Sequence, residues 1–523
     1  MVSSSRRRSA KPPLVWCWKA RLACPSPISI PPAISIEEPR LEYTQTYIDG
    51  CWQAATGTAT SDVVDSYAET RFAVLHTSSA ADVDQAVAAA RNALPGWTAL
   101  PAAQRASLMR AVANALEARA DTLADAIMRE TGMPAKLVKR IQVAAPISAW
   151  RRYADLCEHL TAESRIGHSI VRRVPTGVVA CITPWNYPLH QITAKVAAAL
   201  AAGCTVVLKP SEIAPLSAFL LAEAIAEAHL PAGVFNLVHG PGPETGQALA
   251  RHAGVDMVSF TGSTRAGREI AAAAGSGLKR VSLELGGKSA AIALPGADLG
   301  TAVKATLASC FLNSGQTCSA YTRLLVPAGD YAKACELASQ YIGAYVMGDP
   351  ADAATRLGPL ASAQQRQRVQ AMLLQALAAG ARIVAGGPDA CPVPQRGYFV
   401  APTVLGAITP DAAIAQEEVF GPVLALLPYQ DTAQAIALAN GTPYGLAAAV
   451  WGATAEHAYD VARHLRAGQV EINGAPFNPD APFGGFGQSG MGRENGPHGL
   501  EEFTETISYQ LPPDYPGLQQ PSA

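Results

Sequence analysis

Thr205-Val-Val-Leu-Lys-Pro-Ser-Glu212 is a short apolar run that ends abruptly in charge, and it stands at the centre of a repeating pattern. On its N-terminal side lies a second such run, Val178-Val-Ala-Cys-Ile182. Between the two, Thr193–Ala202 reads as a helix closed by Gly203, the residue type that best accepts the left-handed conformation after a helix end. On the C-terminal side the spacing predicts a helix from about Leu216 to Ala228, a strand at Phe235–Val238 and another at Val255–Phe260. This last strand runs through Thr261-Gly-Ser263 into a further helix. Short apolar strands alternating with helices predict an α/β fold with a parallel sheet covered on both faces. Ligands of such sheets bind beyond the carboxyl ends of the strands, where Lys209 and Ser263 both fall.

The pattern extends outward. Tyr47-Ile-Asp-Gly50 looks like a strand entering a turn, and Val83, Ala86, Val87 and Ala90 mark one helix face. Leu108, Ala111, Val112, Ala115 and Leu116 mark the next, with Pro101 near its first turn. Residues 169–183 alternate and are broken by Pro175-Thr-Gly177, which predicts a hairpin or a pair of long strands. From Glu284 to about Gly484 the α/β character repeats, with strand-like runs at 290–294 and 322–326 and helices around 329–345 and 361–379. This is read as a second α/β domain. The tail Phe503–Tyr509 is β-rich.

A chain of 523 residues, 49% hydrophobic and 16% charged, has the size and composition of an enzyme with two or three domains. Its formal net charge of −2 excludes a broad electrostatic footprint for nucleic acid, and no apolar run reaches the roughly 18–20 residues of a membrane span. Ten cysteines without a Cys-x-x-Cys pair support neither a zinc site nor a disulfide framework, so no metal is expected and the cytoplasm is the default location. The first forty residues differ: Arg6-Arg7-Arg8, Lys11, Lys19 and Arg21 precede any acidic residue, and prolines are frequent. Residues 1–42 are read as a disordered basic extension.

Three segments carry chemistry. Cys318 lies in Asn313-Ser-Gly-Gln-Thr-Cys-Ser319, Glu284 opens Glu-Leu-Gly-Gly-Lys288, and Asn186 lies in Pro184-Trp-Asn-Tyr-Pro188. A thiol, a carboxylate and a carboxamide can capture a carbonyl, hold the charge formed on its oxygen and hydrolyse a thioester. A free thiol titrates near 8.5, so Cys318 is expected to need a positive field or a nearby base. For the cofactor, Gly240-Pro-Gly-Pro-Glu-Thr-Gly246 has the wrong spacing for a dinucleotide fingerprint. Phe260-Thr-Gly-Ser-Thr-Arg-Ala-Gly267 is the better candidate: Gly262 would allow a tight turn, and Ser263 would set a helix N-terminus against a pyrophosphate. Lys209 and Glu212 can reach a ribose, and a carboxylate there favours NAD over NADP. Taken singly, these residues are as readily structural: a buried cysteine, a turn asparagine, surface charges.

Together and in this order, the three segments resemble the aldehyde dehydrogenase superfamily, from about Thr44 to Ser508. The resemblance implies a Rossmann-type cofactor domain (43–160 and 178–286), an α/β catalytic domain (287–488) and a β oligomerisation arm (161–177 and 489–515). It implies that Cys318 is the nucleophile, Asn186 the oxyanion donor with the Cys318 N–H, and Glu284 the base for hydrolysis. Lys195 matches a position assigned to proton relay, though a helix-surface lysine would look the same. Trp185, Lys209, Glu212, Gly262, Ser263, Leu285 and Gly286 match cofactor contacts, as do Glu418 and Phe420 in Gln416-Glu-Glu-Val-Phe-Gly-Pro422. Tyr187, Gln191, Thr317, Ser319, Phe477 and Phe483 would line the substrate tunnel, the last in the glycine-rich run Pro482–Gly490. The expected reaction is NAD-dependent oxidation of an aldehyde to the acid by a homodimer or homotetramer. Two rivals stand beside it. A CoA-acylating enzyme generally lacks the carboxylate found here at Glu284, and a non-catalytic binding protein would have lost one of the three chemical groups.

Overall fold

The computed structural model describes residues 41–159, 163–389, 392–512 and 515. The basic extension therefore lies outside the described residues except for Leu41 and Glu42, which belong to the strand Leu41–Tyr43.

An eight-stranded sheet is built around the run that opened the sequence. Its five central strands, Arg280–Glu284, Met257–Thr261, Val178–Ile182, Thr205–Lys209 and Phe235–Leu237, lie side by side in that order and are parallel. Gly490–Met491 pairs antiparallel on one edge; Gln45–Ile48 and then Cys51–Ala54 pair on the other. The chain runs outward from Val178–Ile182 to Phe235–Leu237, then returns to place Met257–Thr261 on the opposite side of Val178–Ile182. That reversal opens a crevice at the carboxyl ends of the strands. Four of the quoted segments begin at those ends: Pro184–Pro188, Lys209–Glu212, Thr261–Ser263 and Glu284–Lys288.

A seven-stranded sheet takes all its strands from 289–472, in the order Arg382–Gly386, Thr403–Gly406, Val423–Tyr429, Tyr321–Pro327, Ser289–Ala293, Ala447–Trp451 and Gln469–Ile472. Only the edge strand Arg382–Gly386 is antiparallel to its neighbour.

The alternation at 169–183 is not a hairpin. Ser169–Pro175 pairs with Ser164–Ile166 and Thr504–Gln510 in a separate antiparallel sheet, whereas Val178–Ile182 is buried at every position in the parallel sheet. Pro175-Thr-Gly177 carries the chain from one sheet to the other. At Gly177, with φ +133°, a Cβ would lie 2.0 Å from Asp256 Oδ2, so only glycine fits the crossing. The C-terminal stretch expected to form the arm also divides: Gly490–Met491 joins the eight-stranded sheet and Thr504–Gln510 joins the small one.

The helix Pro188–Ala202 begins earlier than its spacing predicted, with proline at its first position. It is buried on every side except at His190, and its run of alanines allows close packing on the helix Ala145–His159. Trp97, itself buried, donates its indole N–H to Leu200 O at 3.2 Å near the helix end, and Gly203 at φ +93° terminates it. This rigid central helix carries Gln191 and Lys195.

Candidate active site

Cys318 is set by a loop built from polar side chains. Asn313, Ser314 and Gly315 take positive φ values of 51°, 56° and 78° in succession. Ser314 Oγ donates to Gly358 O at 2.7 Å, Gln316 Nε2 to Asn313 O at 3.1 Å, and the Ala361 N–H to Gln316 Oε1 at 2.9 Å. Both side chains, Ser314 and Gln316, are buried, so these bonds satisfy groups that burial would otherwise penalise. Asn186 is tied into the same loop. Its Nδ2 donates to Gln316 O at 3.0 Å, while its own carbonyl accepts from Asn313 Nδ2 at 3.0 Å and Gln142 Nε2 at 3.1 Å. Tyr187 Oη lies 2.7 Å from Thr317 Oγ1, which donates to Leu312 O at 3.2 Å, so the phenol is the donor to threonine. Ser319 is half-buried beside the thiol. Gln142, Asn313, Ser314 and Gln316 were not singled out from sequence; the signal was a polar quartet directly after an apolar helix.

Glu284 ends its strand buried at 3% exposure, and neither carboxylate oxygen has a hydrogen-bond partner among the described residues. Gly484, at φ +149°, faces it so closely that a Cβ there would come within 2.5 Å of Oε1. Burial, and then the charge of Glu494, pushes the Glu284 carboxyl well above the usual range; Lys195 and Arg493 oppose the shift. Lys195 is not on a helix surface. It is fully buried and ion-paired to buried Glu494. Glu494 is held in turn by main-chain bonds with Phe483, at 2.8 Å and 2.7 Å.

Of the two aids expected for Cys318, a positive field or a nearby base, the described groups supply no net positive field. Burial raises the thiol pKa, and the nearest influential charges, Glu284, Glu418 and Glu494, raise it further; the Ser319 N–H opposes them. The physical reason is the company it keeps: the buried cation Lys195 is taken up by Glu494.

The cofactor candidates form a cradle at the strand ends. Lys209 is buried, with Nζ 2.9 Å from Pro210 O and 3.4 Å from Glu212 Oε2. Gly262 is not needed for a turn, since its φ is ordinary; a Cβ there would meet the Phe260 ring at 2.5 Å. Ser263 caps the twelve-residue helix Thr264–Gly275, its Oγ accepting from the Ala266 N–H at 3.3 Å. Leu285 fills the space that a Cβ on Gly267 would need, at 2.4 Å, which brings that helix close to the sheet. Glu418 Oε1 accepts the Gly287 N–H at 3.0 Å, and its carboxylate lies 2.4 Å from where a Gly286 Cβ would stand. Burial raises the Glu418 carboxyl to about 7, against the Gly287 bond. Trp185 and Phe420 meet edge to face at 5.4 Å, joining the loops of the two large sheets. Ser489, not singled out before, pins this corner by donating to Gly286 O at 2.7 Å. The cradle of glycines with no room for a Cβ, the capped helix N-terminus and the buried Lys209 fit a dinucleotide.

His239, also unforeseen, follows the strand Phe235–Leu237 and packs against Phe219 at 6.2 Å. It is buried, with neither ring nitrogen hydrogen-bonded among the described residues, and burial plus the Lys209 charge lowers its pKa to about 3. Because the folded value lies below the free value of about 6.5, its neutral form supports the fold above pH 6.5 and that support is lost as pH falls toward 3. Between pH 7 and pH 5 the protein should lose about 2 kcal/mol through this group. Urea unfolding of His239→Leu at both pH values should show a correspondingly shallower loss.

The tunnel candidates are only partly brought together. Tyr187, Gln191, Thr317 and Ser319 are near the thiol or on the central helix, and buried Gln191 leaves Oε1 without a partner among the described residues. Phe483 is half-buried beside Glu494. Phe477 stands in the fully exposed stretch 473–480, at 54% exposure. Among the described residues there is no cluster of three or more potential metal ligands, and no helix is long and apolar enough to cross a membrane.

The family model of the aldehyde dehydrogenases matches residues 52–508. Two similar proteins are the 3-succinoylsemialdehyde-pyridine dehydrogenase of a Pseudomonas species, 46% identical over 89% of this chain and 98% of that protein, and the geranial dehydrogenase of Castellaniella defragrans, 42% identical over 90% and 99%. Among solved structures, a variant of aldehyde dehydrogenase C from Pseudomonas syringae, in complex with NAD+ and octanal, superposes with a TM-score of 0.87 at 45% identity, covering 89% of this chain and 96% of that one. The chain belongs to the aldehyde dehydrogenase family. It is an NAD-dependent oxidoreductase that converts an aldehyde to the carboxylic acid.

Proposed function

We propose that Cys318, Asn186 and Glu284 divide the chemistry as follows. The Cys318 thiol gives its proton to Glu284 as its sulfur attacks the aldehyde carbon, and the oxyanion of the thiohemiacetal is held by the Asn186 amide and the Cys318 N–H. NAD, when bound, accepts the hydride that leaves this carbon. Glu284 then takes a proton from the water that cleaves the thioester, a task suited to a carboxyl whose pKa is raised by burial. Glu494, ion-paired to Lys195, receives each proton from Glu284. The single observation carrying this reading is a buried Glu284 with unused oxygens that acts electrostatically on Cys318. It also favours water over CoA as the acyl acceptor.

The eight-stranded sheet is assigned as the cofactor domain and the seven-stranded sheet as the catalytic domain. NAD is assigned to Trp185, Lys209, Glu212, Ser263, Leu285, Gly286, Glu418 and Phe420, with Gly262 providing space. Tyr187, Gln191, Thr317, Ser319 and Phe483 are assigned to the tunnel, and Phe477 to its outer mouth. The substrate proposed is a medium-to-long aldehyde with an apolar body. Ala194, small and buried on the central helix, supports this, as do the substrates in the names of the similar proteins. The three-stranded sheet exposes Ile166, Ile507 and Tyr509, which supports its role as a dimer or tetramer arm. A reducing cytoplasm suits Cys318, which is a free thiol.

The test is NADH formation at 340 nm across aliphatic, aryl, amino- and carboxy-aldehydes without CoA. Turnover best with uncharged aldehydes longer than propanal supports the reading; a requirement for CoA overturns it. One pH dependence follows from Glu418. Its ionised form is the stronger acceptor for both Gly287 and a ribose hydroxyl, and ionisation rises through a pKa of about 7. The KM for NAD should therefore fall as pH rises from 6 to 8, and Glu418→Gln should flatten that profile.

A further inference from the structure

The seven-stranded sheet holds a concentration of positive charge that the chemistry at Cys318 leaves unused. Lys288 leads into its strand Ser289–Ala293, and Arg323 lies on the neighbouring strand Tyr321–Pro327. Both side chains are buried, at 2% and 4% exposure. Three main-chain carbonyls fix the Arg323 guanidinium. Its Nε donates to Lys288 O at 2.9 Å, and its two terminal nitrogens donate to Leu438 O at 2.6 Å and Ala439 O at 2.8 Å. The Lys288 ammonium, by contrast, has neither a hydrogen bond nor an ion pair among the described residues.

Lys288 and Arg323 line a cavity of about 20 Å³ together with Arg466, Asn440, Thr442 and Tyr444. Arg466 is exposed and lies over the Phe486 ring at 5.8 Å. Three cations thus line one small space, none of them in an ion pair among the described residues, and no carboxylate lines it. The strand register slips at the same place, with Ser289 opposite Tyr321 but Ala290 opposite Arg323, an irregularity of the kind often found beside a site. Buried charges are ordinarily paired, and like charges in a desolvated space oppose one another. Burial, and then Arg323, lowers the Lys288 pKa to about 7, against the weaker pull of Cys310, Glu418 and Glu417. These groups and Arg466 are the charges that face the Lys288 amine, and Glu418 is already committed to the Gly287 N–H.

We infer that this cavity is a binding site for a single monovalent anion of chloride size, held by the Lys288 ammonium with Arg323 and Arg466 completing a positive wall. Size and charge both select that ligand. A cavity needs about 10–15 Å³ to take one water, so this one admits a monoatomic ion and is too small for sulfate or phosphate. A water molecule could bond to Lys288, but it would leave the three like charges uncompensated. The bound anion joins the segment that follows Glu284 to the strand that follows Cys318, so its effect falls on stability. It does not depend on how Cys318 and Glu284 divide the chemistry.

The experiment follows the Tm of the full-length protein as sodium chloride replaces sodium gluconate at constant ionic strength. Bromide is then located by anomalous diffraction in crystals grown in sodium bromide. The wild type should gain about 2 °C along a saturable curve. One bromide peak should stand in the cavity at hydrogen-bonding distance from Lys288 Nζ, and sodium sulfate should give no saturable gain. Because the anion favours the charged amine, the chloride gain should shrink as pH rises from 6 to 8.5, through the Lys288 pKa of about 7. Lys288→Met keeps the chain length and removes the charge, and it should abolish both the chloride gain and the peak. If that variant does not fold, the bromide peak in the wild type decides alone. A Tm that follows ionic strength only, or water in place of bromide in the cavity, would overturn the proposal. So would a chloride gain that persists in Lys288→Met, because the ion would then be bound elsewhere.

Discussion

Glu284→Gln should produce one equivalent of NADH per active site and then stall. The substitution preserves side-chain shape in a pocket so tight that Gly484 has no room for a Cβ, so the fold and the cofactor cradle should survive it. What it removes is the proposed proton acceptor for water, and general base catalysis of this kind is typically worth about 10²–10⁴ in rate. Steady-state turnover should fall by that factor while the burst amplitude stays whole. A second effect has the opposite sign. The Glu284 charge is the strongest electrostatic influence holding the Cys318 thiol protonated, so its removal lowers the thiol pKa and shifts the pH profile of the burst to lower pH. Stopped-flow absorbance at 340 nm measures both quantities. Steady turnover within threefold of wild type would show that hydrolysis does not need this carboxylate.

Gly315→Ala should cost both activity and stability, although residue 315 carries no chemistry. At φ +78° an alanine is strained by about 1–2 kcal/mol, and its Cβ would stand 2.1 Å from the Gly421 carbonyl carbon and oxygen. Those are main-chain atoms on the loop that carries Glu418 and Phe420, so neither side can yield without moving part of the site. The Cys318 loop must shift, and a displacement of about 1 Å at a reacting group costs on the order of 10²-fold in rate. The expected result is a drop of at least that size in kcat/KM together with a lower Tm. Gly329→Ala is the control, since no atom lies within 4 Å of a Cβ there and it should behave as wild type. Wild-type kinetics from Gly315→Ala would mean that the left-handed run before Cys318 does not position it.

Where local pattern and tertiary packing ask for the same thing, the fold was legible. Val178–Ile182, Thr205–Lys209 and Met257–Thr261 are short, apolar and separated by helices, and a parallel sheet is the arrangement that buries such strands on both faces. The small arm was less legible, because the alternation of Ser169–Pro175 is the same whether its partner is the next strand or one more than three hundred residues away. Of the site, Cys318, Glu284 and Asn186 stood out by residue type and order, since few side chains can do their chemistry.

Sequence alone thus determined the reaction class and the α/β character, because these depend on residue identity and on periods of apolar residues along the chain. Only the tertiary structure decided the electrostatics. It set the charges of Glu284, Glu418 and Glu494 against ionisation of the Cys318 thiol and buried Lys195 against Glu494. Each of these depends on which distant segments share a desolvated space, and the strength of a charge there is set by burial and neighbours that no local pattern records.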